Sequence, residues 1–139
     1  MAQILTHSEQ QTRQFAKKMA KKFSSGVIAL TGELGAGKTI FVQGFAQGLG
    51  VKEKIISPTF VLIRQHKIPN TKKILFHVDL YRLDIDQDIK QIGLSEILSD
   101  RENIILIEWA EKIKNLLPKK TLFINIEKIT KNQRKITLK

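Results

Sequence analysis

Eight residues, Gly32-Glu33-Leu34-Gly35-Ala36-Gly37-Lys38-Thr39, constrain this chain more than any others. They fit the phosphate-binding pattern G-x-x-x-x-G-K-[ST] without a mismatch. Glycines let the backbone curl so that successive N–H groups point inward at phosphate oxygens. Lys38 brings a mobile positive charge to β- and γ-phosphates. Thr39 offers a hydroxyl to a bound Mg²⁺, and the helix that begins here adds the positive end of its dipole. The flanks suit the loop. Gly26-Val27-Ile28-Ala29-Leu30-Thr31 is a short apolar run of the kind that makes a buried strand. Residues 39–47 then show helical apolar spacing that ends near Gly48 and Gly50. A glycine-rich turn with an exposed lysine is the plainer reading, and the strand–loop–helix context disfavours it.

The remaining elements fit around that unit. Ser8 followed by Gln11 makes a capping box, and Phe15, Ala16, Met19, Ala20 and Phe23 share a face, so a helix is expected over 6–23. Strands are expected at 60–65, 74–78 and 103–107, with a turn around Pro69-Asn70. Residues 84–98 read as a loop leading into a short helix, weakened by Gly93. A brief helix over 110–117 stops before Pro118, and 121–128 with 134–138 form a closing hairpin. This order predicts a three-layer α/β domain of the P-loop NTPase kind, with a mostly parallel central sheet and some antiparallel strands. The phosphate loop belongs at the carboxyl edge of that sheet, where such folds bind ligands.

Composition bounds the rest. At 139 residues and 42% hydrophobic, the chain is expected to be one domain, residues 1–139, with a single core. No apolar run reaches the roughly 18 residues that span a membrane, and the start shows no signal-peptide pattern. With no cysteine, disulfides and thiolate metal sites are excluded, and a cytoplasmic location is expected. His7, His66 and His77 are far apart and show no metal-ligand spacing. The net charge of +11 is uneven: residues 112–139 hold nine basic side chains and one acid, Glu127. Such an end attracts RNA, ATP or an acidic protein surface, or is a solvated surface that keeps the protein soluble.

Hydrolysis at a phosphate loop needs a further Mg²⁺ ligand and a group that positions water. Such an acid usually ends an apolar strand beside the loop. Asp79, after Ile74-Leu75-Phe76-His77-Val78, and Glu108, after Ile104-Ile105-Leu106-Ile107, both qualify; each also reads as an acid exposed at a strand end. Thr59, after the rigid Ser57-Pro58, is a candidate switch threonine or a β-prone residue entering a strand. Trp109 packs at the site or fills core, and spacing alone favours core. No Asn-Lys-x-Asp run selects guanine, so ATP is the expected nucleotide.

The loop, Ser57-Pro58-Thr59-Phe60, His77-Val78-Asp79-Leu80-Tyr81-Arg82-Leu83 and Ile107-Glu108-Trp109-Ala110-Glu111 together resemble the TsaE family. These are small bacterial ATPases of the tRNA threonylcarbamoyladenosine pathway. The blocks fall in the family's order, and the likeness covers nearly the whole chain. It implies slow, Mg²⁺-dependent ATP hydrolysis and association with the TsaB–TsaD pair, which modifies adenosine 37 of tRNA. The ATPase cycle would reset that complex between turnovers. The protein alone would be a monomer, and tRNA would be met through the complex. By position, Thr39 and Glu108 would be Mg²⁺ ligands, Lys38 would bind phosphate, and Asp79 would position water or support the metal. Thr59 would be the switch residue. Gly35, Ala36, Gly37, Ile40 and Trp109 would lie at the nucleotide, with Glu9 and Arg134 near its base. Two other classes remain open: a small-molecule kinase, for which the chain has little room for a lid or acceptor insert, and a non-enzymatic basic RNA-binding module, against which the 6% aromatic content counts mildly.

Overall fold

A computed structural model of the chain describes residues 2–55, 63–82 and 93–139. In chain order the elements are β1 (Ala2–Thr6), α1 (Glu9–Ala20), β2 (Gly26–Thr31), α2 (Lys38–Gly48), β3 (Ile63–Lys67) and β4 (Ile74–Asp79). They continue with α3 (Leu94–Ser99), β5 (Ile104–Glu108), a 3₁₀ segment (Ala110–Leu116), β6 (Leu122–Lys128) and β7 (Arg134–Leu138).

The strands form one sheet in the order β1-β7-β6-β2-β5-β4-β3. At its centre β6, β2, β5 and β4 run parallel. Antiparallel strands close both sides, β3 beside β4, and β7 then β1 beside β6. The centre is buried on both faces, which is why β2 and β5 read as unbroken apolar runs. The expected hairpin is present, with Ile126 opposite Ile136, and Ile129 N–H donates to Gln133 O at 3.0 Å in its turn.

Each face of the sheet carries its own core. On one, α1 and α2 cover Ile28, Leu30, Leu106, Ile124 and Ile136 with Phe41, Val42 and Phe45. Phe41 and Phe45 are fully buried, contributing about 1.5–3 kcal/mol each, and their rings stack at 6.1 Å. The two helices cross closely because α2 presents Gly44 and Gly48 to α1. A Cβ at Gly44 would strike the Arg13 carbonyl, and one at Gly48 the Lys17 carbonyl. On the other face, α3 and the 3₁₀ segment cover Ala29, Val78, Ile105 and Ile107 through Leu94, Ala110 and Ile113. The result is three layers.

The helix expected over 6–23 is shorter at both ends, and its first residue belongs to a strand that the sequence reading did not assign. Ser8 is the N-cap, accepting from Gln11 N–H at 3.1 Å, while the Gln11 side chain accepts from His7 N–H at 2.7 Å. The box therefore starts the helix at Glu9, and Thr6 is left to pair with Arg134 in β1. The expected brief helix over 110–117 is 3₁₀. Of the strand expected at 60–65 and the loop at 84–98, residues 60–62 and 84–92 lie outside the described residues. Among the described residues no helix is long and apolar enough to cross a membrane.

Candidate functional site

The parallel centre of the sheet brings three strand ends together. β2 runs into the phosphate loop, while β4 and β5 end on Asp79 and Glu108, opposite each other in register. Leu30 of β2 is in register with Glu108 on its other side. The loop residues depend on glycine at two points. Gly37 is the N-cap of α2 with φ 107°, a left-handed conformation that a Cβ would strain. Gly32, at φ 139°, passes so close to β6 that a Cβ would strike the Ile126 carbonyl. Gly37 O accepts from Phe41 N–H at 3.0 Å, which starts α2 directly from the loop.

Lys38, on the first turn of α2, is buried at 5% exposure. Its ammonium donates to the carbonyls of Gly32 and Glu33, the second at 3.1 Å, and lies 3.8 Å from the centre of the Trp109 ring. Burial pushes its pKa below the ordinary 10.5, while the carboxylates of Glu111, Glu108 and Asp79 pull it back up. The loop thus holds its own lysine through its backbone carbonyls.

Thr39, the next residue, donates its hydroxyl to Glu108, with Oε1 at 3.0 Å and Oε2 at 3.2 Å. Glu108 is 3% exposed, and its Oε2 also lies 2.5 Å from Nε2 of His77, which is fully buried. Asp79, at 8% exposure, accepts from Tyr81 N–H at 3.0 Å. Hard oxygens from Thr39 and Glu108 beside Asp79 suit Mg²⁺, which takes few protein ligands and completes its shell with phosphate and water. Among the described residues no group of three or more His, Cys, Asp or Glu is arranged to hold a metal ion.

These groups surround a cavity of about 490 Å³. One wall is the loop and the start of α2, from Gly35 through Ala36, Gly37, Lys38 and Thr39 to Ile40. Asp79, Glu108, Trp109, Glu9 and Arg134 also line the cavity. The structure therefore gathers every sequence-predicted site residue except Thr59, which lies outside the described residues with the rest of Ser57-Pro58-Thr59-Phe60. Trp109 meets both readings of it, packing against the second core while lining the cavity. Its backbone is left-handed, φ 61°, at the turn from β5 into the 3₁₀ segment.

Arg134 does more than line the wall. Its Nε donates to Ala36 O at 2.8 Å, and its Nη1 donates to Thr130, Lys131 and Gln133 carbonyls between 3.0 and 3.1 Å. One guanidinium thereby ties the β6–β7 turn to the phosphate loop. Thr12, Tyr81 and Lys131 also line the cavity, and sequence reasoning did not name them as site residues. Tyr81 was visible only as part of the block around Asp79; its ring lies 5.1 Å from that of Trp109. His77 was likewise quoted in that block without a role.

Comparison with known proteins agrees with the resemblance. The family described as "Threonylcarbamoyl adenosine biosynthesis protein TsaE" matches residues 6–136. A protein named tRNA threonylcarbamoyladenosine biosynthesis protein TsaE from Rickettsia bellii is 38% identical over 135 residues, covering 96% of this chain and 91% of the relative. The same-named protein of Bacillus subtilis is 36% identical over 136 residues, covering 95% and 81%. Among solved structures, the crystal structure of Bacillus subtilis YdiB superposes with a TM-score of 0.80 at 32% identity, covering 99% of this chain and 83% of that one. With a matching family over nearly its full length and relatives of this identity and coverage, the chain belongs to the TsaE family of threonylcarbamoyl adenosine biosynthesis proteins.

Proposed function

We propose that the protein is a Mg²⁺-dependent ATPase that serves tRNA threonylcarbamoyladenosine formation as an accessory subunit, cycling the TsaB–TsaD pair. The observation that carries this reading is the Thr39 hydroxyl bonded to the Glu108 carboxylate at the mouth of the loop-lined cavity. It joins the residue that would accept a metal from the loop side to the one that would accept it from the sheet. Bound there, Mg²⁺ would neutralise charge that develops on the transferred phosphoryl group.

The chain's own groups divide the remaining work. Lys38 leaves the Gly32 and Glu33 carbonyls for phosphate oxygens, an exchange of neutral acceptors for charged ones. A phosphate bound at the loop would lie at the positive end of α2, which starts at Lys38. Asp79, beside Glu108 in register, would orient water or support the metal. The basic side chains of residues 112–139 suit a polyanionic or acidic partner, in keeping with a complex that handles tRNA.

The test is direct. Lys38→Ala and Glu108→Ala should abolish ATP hydrolysis, and Lys38→Ala should also weaken ATP binding; normal turnover in both variants refutes the site. ATP turnover should rise when the TsaB–TsaD pair is added. No rise, together with no co-migration on a sizing column, refutes the partners.

A further inference from the structure

We propose that His77 is a positioning residue: its Nε2–H holds the Glu108 carboxylate in the orientation that receives a nucleotide-bound metal ion. This deepens the reading of Thr39 and Glu108 given above and rests on it.

The geometry assigns the proton. His77 sits on β4, fully buried, with Nε2 2.5 Å from Glu108 Oε2 across the β4–β5 pairing. Its other nitrogen, Nδ1, is buried and has no hydrogen-bond partner among the described residues. A proton on Nδ1 would bury an unpaired donor and set the Nε2 lone pair against a carboxylate oxygen. With the proton on Nε2, the one close contact is a donor on an anion, and Nδ1 is left as a bare acceptor, the smaller cost.

The consequence lies in how Glu108 is held. A carboxylate has two oxygens and can swing about its last torsion. Thr39 touches both oxygens from the loop side, and His77 fixes Oε2 from beneath. When the Thr39 hydroxyl turns to a metal, His77 becomes the described donor that still sets the plane of the carboxylate. Groups that orient a ligating carboxylate in this manner typically change metal affinity by about 10–100-fold when lost.

Two amide substitutions separate positioning from simple packing. Glutamine places its N–H₂ close to where His77 carries Nε2, whereas asparagine places it near Nδ1 and falls short of Glu108. The experiment follows ATP binding by calorimetry as Mg²⁺ is varied, and again without metal, in the wild type, His77→Gln, His77→Asn and Glu108→Gln. His77→Asn should raise the Mg²⁺ concentration required by about 10–100-fold. His77→Gln should stay close to the wild type, and metal-free ATP binding should be alike in both amides. Equal behaviour of the two amides overturns the role of His77. If Glu108→Gln leaves the Mg²⁺ requirement unchanged, Glu108 is no ligand and the role of His77 falls with it. A shift in Glu108→Gln without one in His77→Asn overturns the positioning alone. Nitrogen-15 spectra of the wild-type histidines need no variant to fold in order to read the tautomer. A proton on Nε2 supports the proposal, and a proton on Nδ1 or on both nitrogens overturns it.

Discussion

β4 and β5 end side by side, Asp79 opposite Glu108, yet the two carboxylates are held in different ways. Glu108 is gripped from two other elements, by Thr39 of α2 and His77 of β4. Asp79 accepts the Tyr81 N–H two residues on along its own chain. Both are nearly buried, so exposure does not distinguish them. The difference lies in what surrounds each strand. β5 has β2 and the phosphate loop on one side and β4 on the other, so its terminal acid is tied to the loop. β4 is one strand further out, and its acid accepts from the turn that follows it.

Replacing Glu108 should therefore disturb both chemistry and fold. Glu108→Ala should abolish ATP hydrolysis. It should also lower the melting temperature, because His77 and Thr39 lose a buried acceptor at about 1–3 kcal/mol. A melting curve equal to the wild type would remove the distinction between the two acids. Asp79→Asn should cost hydrolysis on the order of 10²-fold, while an amide oxygen still accepts from Tyr81 N–H.

The smallest effect concerns Lys38 and sharpens the ranking of its neighbours. Burial lowers its pKa from 10.5, so the unfolded chain keeps this proton to higher pH than the folded one does. Stability should rise with pH in the window just below 10.5, by at most about 1.4 kcal/mol per pH unit, and Lys38→Met should lack that rise. Glu108 raises the Lys38 pKa more than Asp79 does. Glu108→Gln should accordingly move the window further down than Asp79→Asn, as read from melting temperatures between pH 8 and 10.5.

Much of this site was legible because its signals are local. The phosphate loop is contiguous, and Asp79 and Glu108 each close an apolar run that ends in one acid. The capping box at Ser8 and Gln11 is also local, and it marked the start of α1 more accurately than the apolar face did. What was missed depends on pairing at long range. β1 has a mostly exposed, weakly patterned sequence, Ala-Gln-Ile-Leu-Thr, and is a strand because β7 lies beside it. The bond of His77 to Glu108 needs β4 and β5 in register, and that of Arg134 to Ala36 needs the hairpin folded over the loop. No window of sequence contains either pair.

The pairing of β1 with β7 has a kinetic meaning. Ala2 lies opposite Leu138 and Thr6 opposite Arg134, so the pairing closes a loop that spans almost the whole sequence. Contacts of such separation carry the largest closure entropy and form slowly. Glu9 follows the first strand directly, and Arg134 opens the last. A chain with only its central strands paired still lacks the side of the cavity that these two residues line. Fraying of the outer strands would therefore open the side of the cavity that Glu9 and Arg134 line.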